Sequence, residues 1–260
     1  MPDAMPVGPC RYPYKDHSRA RRGSYTIRIL SVPTATTMLL RHHMSMISGL
    51  MMVATMALSN GFPPEITRPG TPAACSFASD APVMDDYLSL VSGLDPWLGR
   101  SEADVKVFEF FDPNCPHCAT FHPIMKQVVE EMGQHAQFYM IPFPLWRYSL
   151  AQTEALYVAA EQGKYFEMID AQYQAQKPGG MSLDELVSIA SQIGLDPDLF
   201  LERLERGQYQ QMIIERRSRI ADAGVRGTPS VMINGRLVAS ESKSRTCMNE
   251  LIAEMASGNS

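Results

Sequence analysis

Two cysteines spaced as Cys115-Pro116-His117-Cys118 are the residues of this 260-residue chain best suited to chemistry. The reactive form of cysteine is the thiolate, and a pair at this spacing can alternate between dithiol and disulfide. Just ahead of the pair runs Val105-Lys106-Val107-Phe108-Glu109-Phe110-Phe111, a β-branched and aromatic run closed by Asp112-Pro113-Asn114, which reads as a buried strand. Just after it, apolar residues recur at Phe121, Ile124, Met125, Val128, Val129 and Met132, a helical spacing that stops at Gly133. The pair is therefore expected at a strand-to-helix junction, with Cys115 exposed and ionised where unpaired backbone N–H groups and the helix macrodipole favour negative charge. Pro116 suits the first helical turn because no hydrogen bond is lost there, and His117, when protonated, adds a positive neighbour. Such surroundings lower a cysteine pKa from about 8.5 into the range of roughly 3.5–7.5, and a stabilised thiolate is also a good leaving group.

A Cys-x-x-Cys pair also serves as half of a zinc site, but zinc wants four ligands. No second such pair and no His-x-x-x-His follows, and Cys75, Cys247 and His122 are scattered, so no metal site is assigned. A soft-metal reading, with copper held by Cys115, Cys118 and nearby His or Met, is the alternative from a different functional class. Cys247 is read as a lone thiol in the last helix and Cys75 as a linker thiol, and their spacing does not decide whether they pair.

Residues 1–59 hold seven of the 23 Lys and Arg but only two of the 28 Asp and Glu, leaving 16 bases against 26 acids in the body of the chain. So acidic a body is a poor nucleic-acid binder. Met44–Leu58 is an apolar stretch of 15 residues preceded by Arg41, His42 and His43 and followed by Ser59, Asn60 and Gly61. That is the layout of a secretory signal peptide, with an uncleaved anchor as the alternative. Its methionines are read as hydrophobic filler. Residues 1–37 are either an extension of the protein or lie upstream of a start at Met38 or Met44.

Residues 1–59 are thus an extension with a signal peptide or membrane anchor, 60–82 a Pro-, Ser-, Ala- and Gly-rich linker, and 83–260 the folded domain. Order is expected to begin near Val83, with a first helix over 84–94. A second strand is predicted at 137–143. Five helices then follow at 149–162, 165–176, 182–193, 197–206 and 209–223, forming a helical insert over about 147–224. Ser182 with Glu185 makes a capping box, Asp196-Pro197 opens a helix, and Gly163, Gly194, Gly207 and Gly224 end four of them. Strands return at 230–233 and 236–239 around Asn234-Gly235, a strong hairpin signal, and a helix over 244–255 closes the domain. The order is that of an α/β fold with an all-helical subdomain inserted.

Phe108-Glu109-Phe110-Phe111-Asp112-Pro113-Asn114-Cys115-Pro116-His117-Cys118, followed by Val225-Arg226-Gly227-Thr228-Pro229-Ser230, resembles the DsbA-like thiol-disulfide oxidoreductases of the thioredoxin superfamily over roughly residues 98–255. The resemblance implies a thioredoxin-like fold, a cis Thr228-Pro229 bond against the cysteine pair where substrate main chain docks, and a buried carboxylate at Glu109 that exchanges a proton with Cys118. A cis bond is inexpensive only before proline, and a buried charge needs a reason of this kind. It further implies periplasmic activity on cysteine-containing exported proteins, a membrane redox partner and no cofactor. The leading expectation is an oxidase, with a reductase or isomerase as runner-up. Thr228 stands where many of the oxidases carry valine, which leaves the direction of electron flow open. The segment before Val105 is short for the dimerisation domain of the isomerase branch, which favours a monomer.

Overall fold

The computed structural model describes residues 74–258. The signal-like stretch, its methionines and most of the linker lie outside the described residues. Among the described residues, no helix is long and apolar enough to cross a membrane.

The strand read at the cysteine pair forms as expected and lies in the middle of a five-stranded sheet. β2 (Val105–Phe111) pairs in parallel with β3 (Ala136–Pro142) and antiparallel with β4 (Ser230–Ile233), so Glu109 faces Met140 on one side and Val231 on the other. β1 (Trp97–Gly99) and β5 (Arg236–Leu237) complete the order β1-β3-β2-β4-β5. A strand covered on both faces must be apolar on both, which is why β2 and β3 read as continuous hydrophobic runs. Asn234 and Gly235 both have positive φ, at 44° and 82°. A Cβ on Gly235 would lie 2.1 Å from the Met84 carbonyl oxygen, so the hairpin turn needs glycine there twice over.

Alternation along β2 sorts its side chains between two cores. Val107 and Phe111 join Phe121, Met125 and Val128 of α1 (Pro116–Met132) and Met248 and Leu251 of α7 (Arg245–Ala256). Phe108 and Phe110 point the other way, against Leu90, Ile141, Ile220 and Met232. Glu109 is thereby on the α1 face of the sheet, the face that carries Cys118.

Between β3 and β4 the chain forms α2 (Ser149–Ala160), α3 (Tyr165–Gln174), α4 (Leu183–Gln192), α5 (Pro197–Arg206) and α6 (Gln210–Asp222). The capping box at Ser182 and Glu185 is present, Asp196 accepts from the Asp198 and Leu199 N–H groups, and Gly207 adopts the left-handed conformation that stops α5. A buried Arg216–Asp95 ion pair at 2.5 Å ties α6 to the segment ahead of β1, with the Tyr157 hydroxyl and Ser92 completing the cluster.

Three local expectations are corrected. The helix over 84–94 is a single 3-10 turn, Tyr87–Leu90, because Asp95 accepts from both the backbone N–H and the hydroxyl of Ser92 and so turns the chain. Residues 74–82 are held in place: Phe77 bridges to Val238, the Ala78 N–H donates to the Leu237 carbonyl at 2.8 Å, and the Arg236 guanidinium lies 3.9 Å from the centre of the Phe77 ring. Cys247, read as a lone thiol, and Cys75, read as a linker thiol, with their pairing left open by spacing, form a disulfide across 172 residues of sequence. So distant a cross-link restricts the unfolded chain strongly, and composition and spacing carry no trace of it.

Candidate active site

Cys115 is the N-cap of α1, its backbone still extended, and Pro116 occupies the first helical position. The N–H groups of His117 and Cys118 are therefore unpaired within the helix and turn to the Cys115 sulfur. Cys115 is only 3% exposed, more enclosed than expected, while Pro116 and His117 stand at the surface and Cys118 is fully buried. The two cysteines are not joined by a disulfide, and the Cys115 sulfur lies 3.4 Å from the Thr228 carbonyl oxygen. Thr228-Pro229 is a cis peptide bond, so the residues implied by the resemblance come together across more than a hundred positions of sequence. His117, Thr228 and Pro229 line a cleft of about 930 Å³ together with Phe77, Phe121 and Val238.

The two sulfurs differ sharply. Hydrogen bonding from the Cys118 thiol, ahead of help from Thr228 and the two backbone N–H groups, lowers the Cys115 pKa to about 5 against the opposing effect of burial. Burial first, and hydrogen bonding to Cys115 second, push the Cys118 thiol far up. The buried Thr228 hydroxyl makes no close hydrogen bond and is free to turn its proton toward either sulfur, which favours the thiolate. Glu109 is 2% exposed and neither carboxyl oxygen has a partner; burial alone raises its pKa to about 8. Lys106 is not its counter-ion, for it lies on the other face of β2 and donates to Gln137 at 2.7 Å.

A family model described as thioredoxin matches residues 92–253, the span that holds the whole sheet and the cysteine pair. The chain belongs to the DsbA-like branch of the thioredoxin family. The probable disulfide bond formation protein D of Bacillus cereus is 31% identical over 155 residues, 54% of this chain and 70% of that one. A thioredoxin-like oxidoreductase of Silicibacter pomeroyi, solved as a crystal structure, superposes with a TM-score of 0.56 at 25% identity, covering 65% of this chain and 95% of that one. The Na(+)/H(+) antiporter NhaA 1 of Salinispora arenicola is 29% identical over 161 residues, but the chain spans 59% of itself and only 24% of that protein, so nothing of its transport role carries over.

Within this DsbA-like chain, four further residues build the site and were not read from the sequence. Asp112 is fully buried and accepts from the N–H groups of Asn114 and Leu145 and from the Ser149 hydroxyl, fixing the turn that delivers Cys115. Its signal was visible, since Asp-Pro-Asn is a turn sequence in which the first side chain bonds the backbone two residues on. Gln176 donates to the carbonyls of Pro113 and Cys115, and Lys243 to the carbonyl of Pro229 at 2.8 Å. Tyr173 packs its ring on Phe111. These last three come from distant segments with no local motif. Among the described residues no group of three or more His, Cys, Asp or Glu side chains is placed to hold a metal ion.

Proposed function

We propose that the chain is an exported oxidase that introduces disulfide bonds into cysteine-containing secreted proteins through Cys115 and Cys118. A client thiolate attacks the Cys115 sulfur of the oxidised pair, the Cys115–Cys118 bond breaks, and its electron pair passes to Cys118, which takes up a proton. The client's second thiolate then attacks the client sulfur of the mixed disulfide, and Cys115 departs as a thiolate. Two electrons have moved from client to enzyme, and a membrane partner re-oxidises the pair. The cis-proline cleft holds the client main chain beside Cys115, with Thr228 and Pro229 as its contacts, and Glu109 is the proton carrier for Cys118.

The opposite displacement of the two thiol pKa values carries this reading. A thiol held as thiolate leaves readily, and a reduced form stabilised in this way makes the disulfide a strong oxidant. The Cys75–Cys247 disulfide supports export to the periplasm, since structural disulfides persist in oxidising compartments. The presence of Thr228 ahead of the cis-proline favours the second reading, a reductase or isomerase in which reduced Cys115 attacks client disulfides.

Equilibration of the Cys115–Cys118 pair in a glutathione series separates the two. An oxidase gives a reduction potential near about −120 mV, and a value near about −270 mV, that of a cytosolic reductase, contradicts it. Exchange that persists undiminished with a chelator present also disposes of the copper-binding alternative.

A further inference from the structure

We propose that Tyr173 and His122 form the route by which protons pass between solvent and Glu109, and so to and from Cys118, on the side of the molecule away from the client cleft. The inference rests on the exchange chemistry proposed above and adds to it where the proton travels.

The strand β2 presents Glu109 on the same face as Phe111, against α1. Cys118 and His122 are one helical turn apart on α1 and share a side of that helix. The Tyr173 ring, from α3, packs on both elements at once, with centroids 6.1 Å from Phe111 and 4.9 Å from His122. Tyr173 thus covers the seam between strand and helix in which Glu109 and Cys118 lie. Burial first, and then the charges of Cys118, Glu109, Asp112 and Cys115, hold its phenol in the neutral form.

Three side chains along this seam have buried polar atoms without hydrogen-bond partners: both carboxyl oxygens of Glu109, the Tyr173 hydroxyl and Nδ1 of His122. Buried groups are nearly always paired, so an unpaired series in one place calls for an explanation. The series ends at the surface. His122 Nε2 lies 2.6 Å from Asp170 Oδ1, and the other Asp170 oxygen accepts from Lys126 at 2.8 Å, with the Asp170 side chain 35% exposed. Here a cleft of about 410 Å³ is lined by Ala119, His122, Pro123, Lys126, Asp170 and Tyr173. Pro123 has no N–H, which deprives the Ala119 carbonyl of its usual helical donor. No residue of this cleft lines the one at the cis-proline, so a bound client leaves the proton entrance open.

The step balances without a further reactant. When a client thiolate forms its bond to Cys115, the Cys115–Cys118 bond breaks and the electron pair on Cys118 takes the proton of the Glu109 carboxyl. The Glu109 carboxyl oxygens, the Tyr173 hydroxyl and His122 Nδ1 are not hydrogen-bonded to one another, so each transfer between them is bridged by a water. The Glu109 carboxylate regains its proton from the Tyr173 hydroxyl as that hydroxyl takes one passed on from His122 Nδ1, and the ring is replenished from solvent at Nε2 beside Asp170. On re-oxidation the same path runs outward. Tyr173 and His122 touch no reacting sulfur and act through Glu109.

The test is stopped-flow reduction of the oxidised full chain by dithiothreitol in water and in deuterium oxide. Tyr173→Phe removes only the hydroxyl. It is expected to slow the reduction by at least about tenfold, on the modest side for loss of acid–base assistance, and to enlarge the solvent isotope effect. Glu109→Gln is expected to do the same, and the double variant to be no slower than Glu109→Gln alone, because both act on one path. Should Tyr173→Phe fail to fold, His122→Gln is read in the same way. The rate of Cys115 alkylation in the reduced variants is expected to match the wild-type chain, which a general disturbance of the site would not allow. Reduction of Tyr173→Phe at the wild-type rate and isotope effect overturns the route while the oxidoreductase reading stands, as does a double variant slowed by the product of the two single effects. A wild-type disulfide at Cys115–Cys118 that dithiothreitol does not open overturns the reading itself.

Discussion

Serine in place of Cys118 will leave the chain trapped as a mixed disulfide with its clients, and serine in place of Cys115 will abolish exchange. The asymmetry follows from the geometry. Cys115 receives the N–H groups at the start of α1 and is the sulfur that borders the cis-proline, whereas Cys118 is fully buried and held as a thiol. On the proposed mechanism Cys115 meets the incoming sulfur and Cys118 releases it from the wrong partner. Loss of a nucleophile that works as one unit with its partner lowers turnover by at least about a thousandfold. Non-reducing gels of the Cys118→Ser variant, mixed with a client peptide whose cysteine is carried as a disulfide, should show a band that a reductant removes, because the Cys115 thiolate attacks that disulfide and the other sulfur leaves as a thiolate; the Cys115→Ser variant should show none. A trapped adduct in the Cys115→Ser variant would mean the roles are reversed.

The other large effect is on stability. Asp95→Ala will destabilise the chain by about 3–5 kcal/mol, because it leaves the Arg216 guanidinium buried without its counter-charge. Both side chains of this pair are at most 2% exposed, and the Tyr157 hydroxyl bonds both partners. For a chain of this size that loss lowers the melting temperature by roughly 6–20 °C. Replacing Asp95 and Arg216 together with apolar residues of similar volume should cost less than either single change, since no lone charge is then left inside. Thermal unfolding of the three variants measures both statements; equal losses in the single and double variants would show that the ion pair is not what anchors α6 to the segment before β1.

Much of the site was readable because it is written locally. The run Val105–Phe111 carries its own strand pattern, Cys115-Pro116-His117-Cys118 carries its own helix start, and Asp196-Pro197 with Gly207 brackets α5. Pro229 was reached only through the resemblance, since nothing in Thr228-Pro229 taken alone says which segment it will face. What escaped was settled by contacts distant in sequence. β1 is three residues long and exists because β3 offers it an edge. The stretch 74–82 has the composition of a linker, yet it is fixed by Cys247, Ser242 and the edge of β5. The 84–94 segment has enough apolar spacing for a helix, but the bonds that Asp95 makes to Ser92 and Arg216 outweigh that preference. Cys115 was expected at the surface because chemistry needs access; the protein instead encloses it under Thr228 and leaves Pro116 and His117 outside.

The central claim, that Cys115 is an ionised sulfur at neutral pH while Cys118 is not, is met most directly by alkylation of the reduced chain with iodoacetamide across pH, followed by peptide mapping. Alkylation follows the thiolate fraction. The Cys115 pKa is lowered to about 5, so its rate should reach half its maximum near pH 5 and stay level above about pH 6, with Cys118 unmodified throughout. A Cys115 rate that climbs through about pH 8.5 as a free thiol does, or modification of Cys118 ahead of it, would contradict the account.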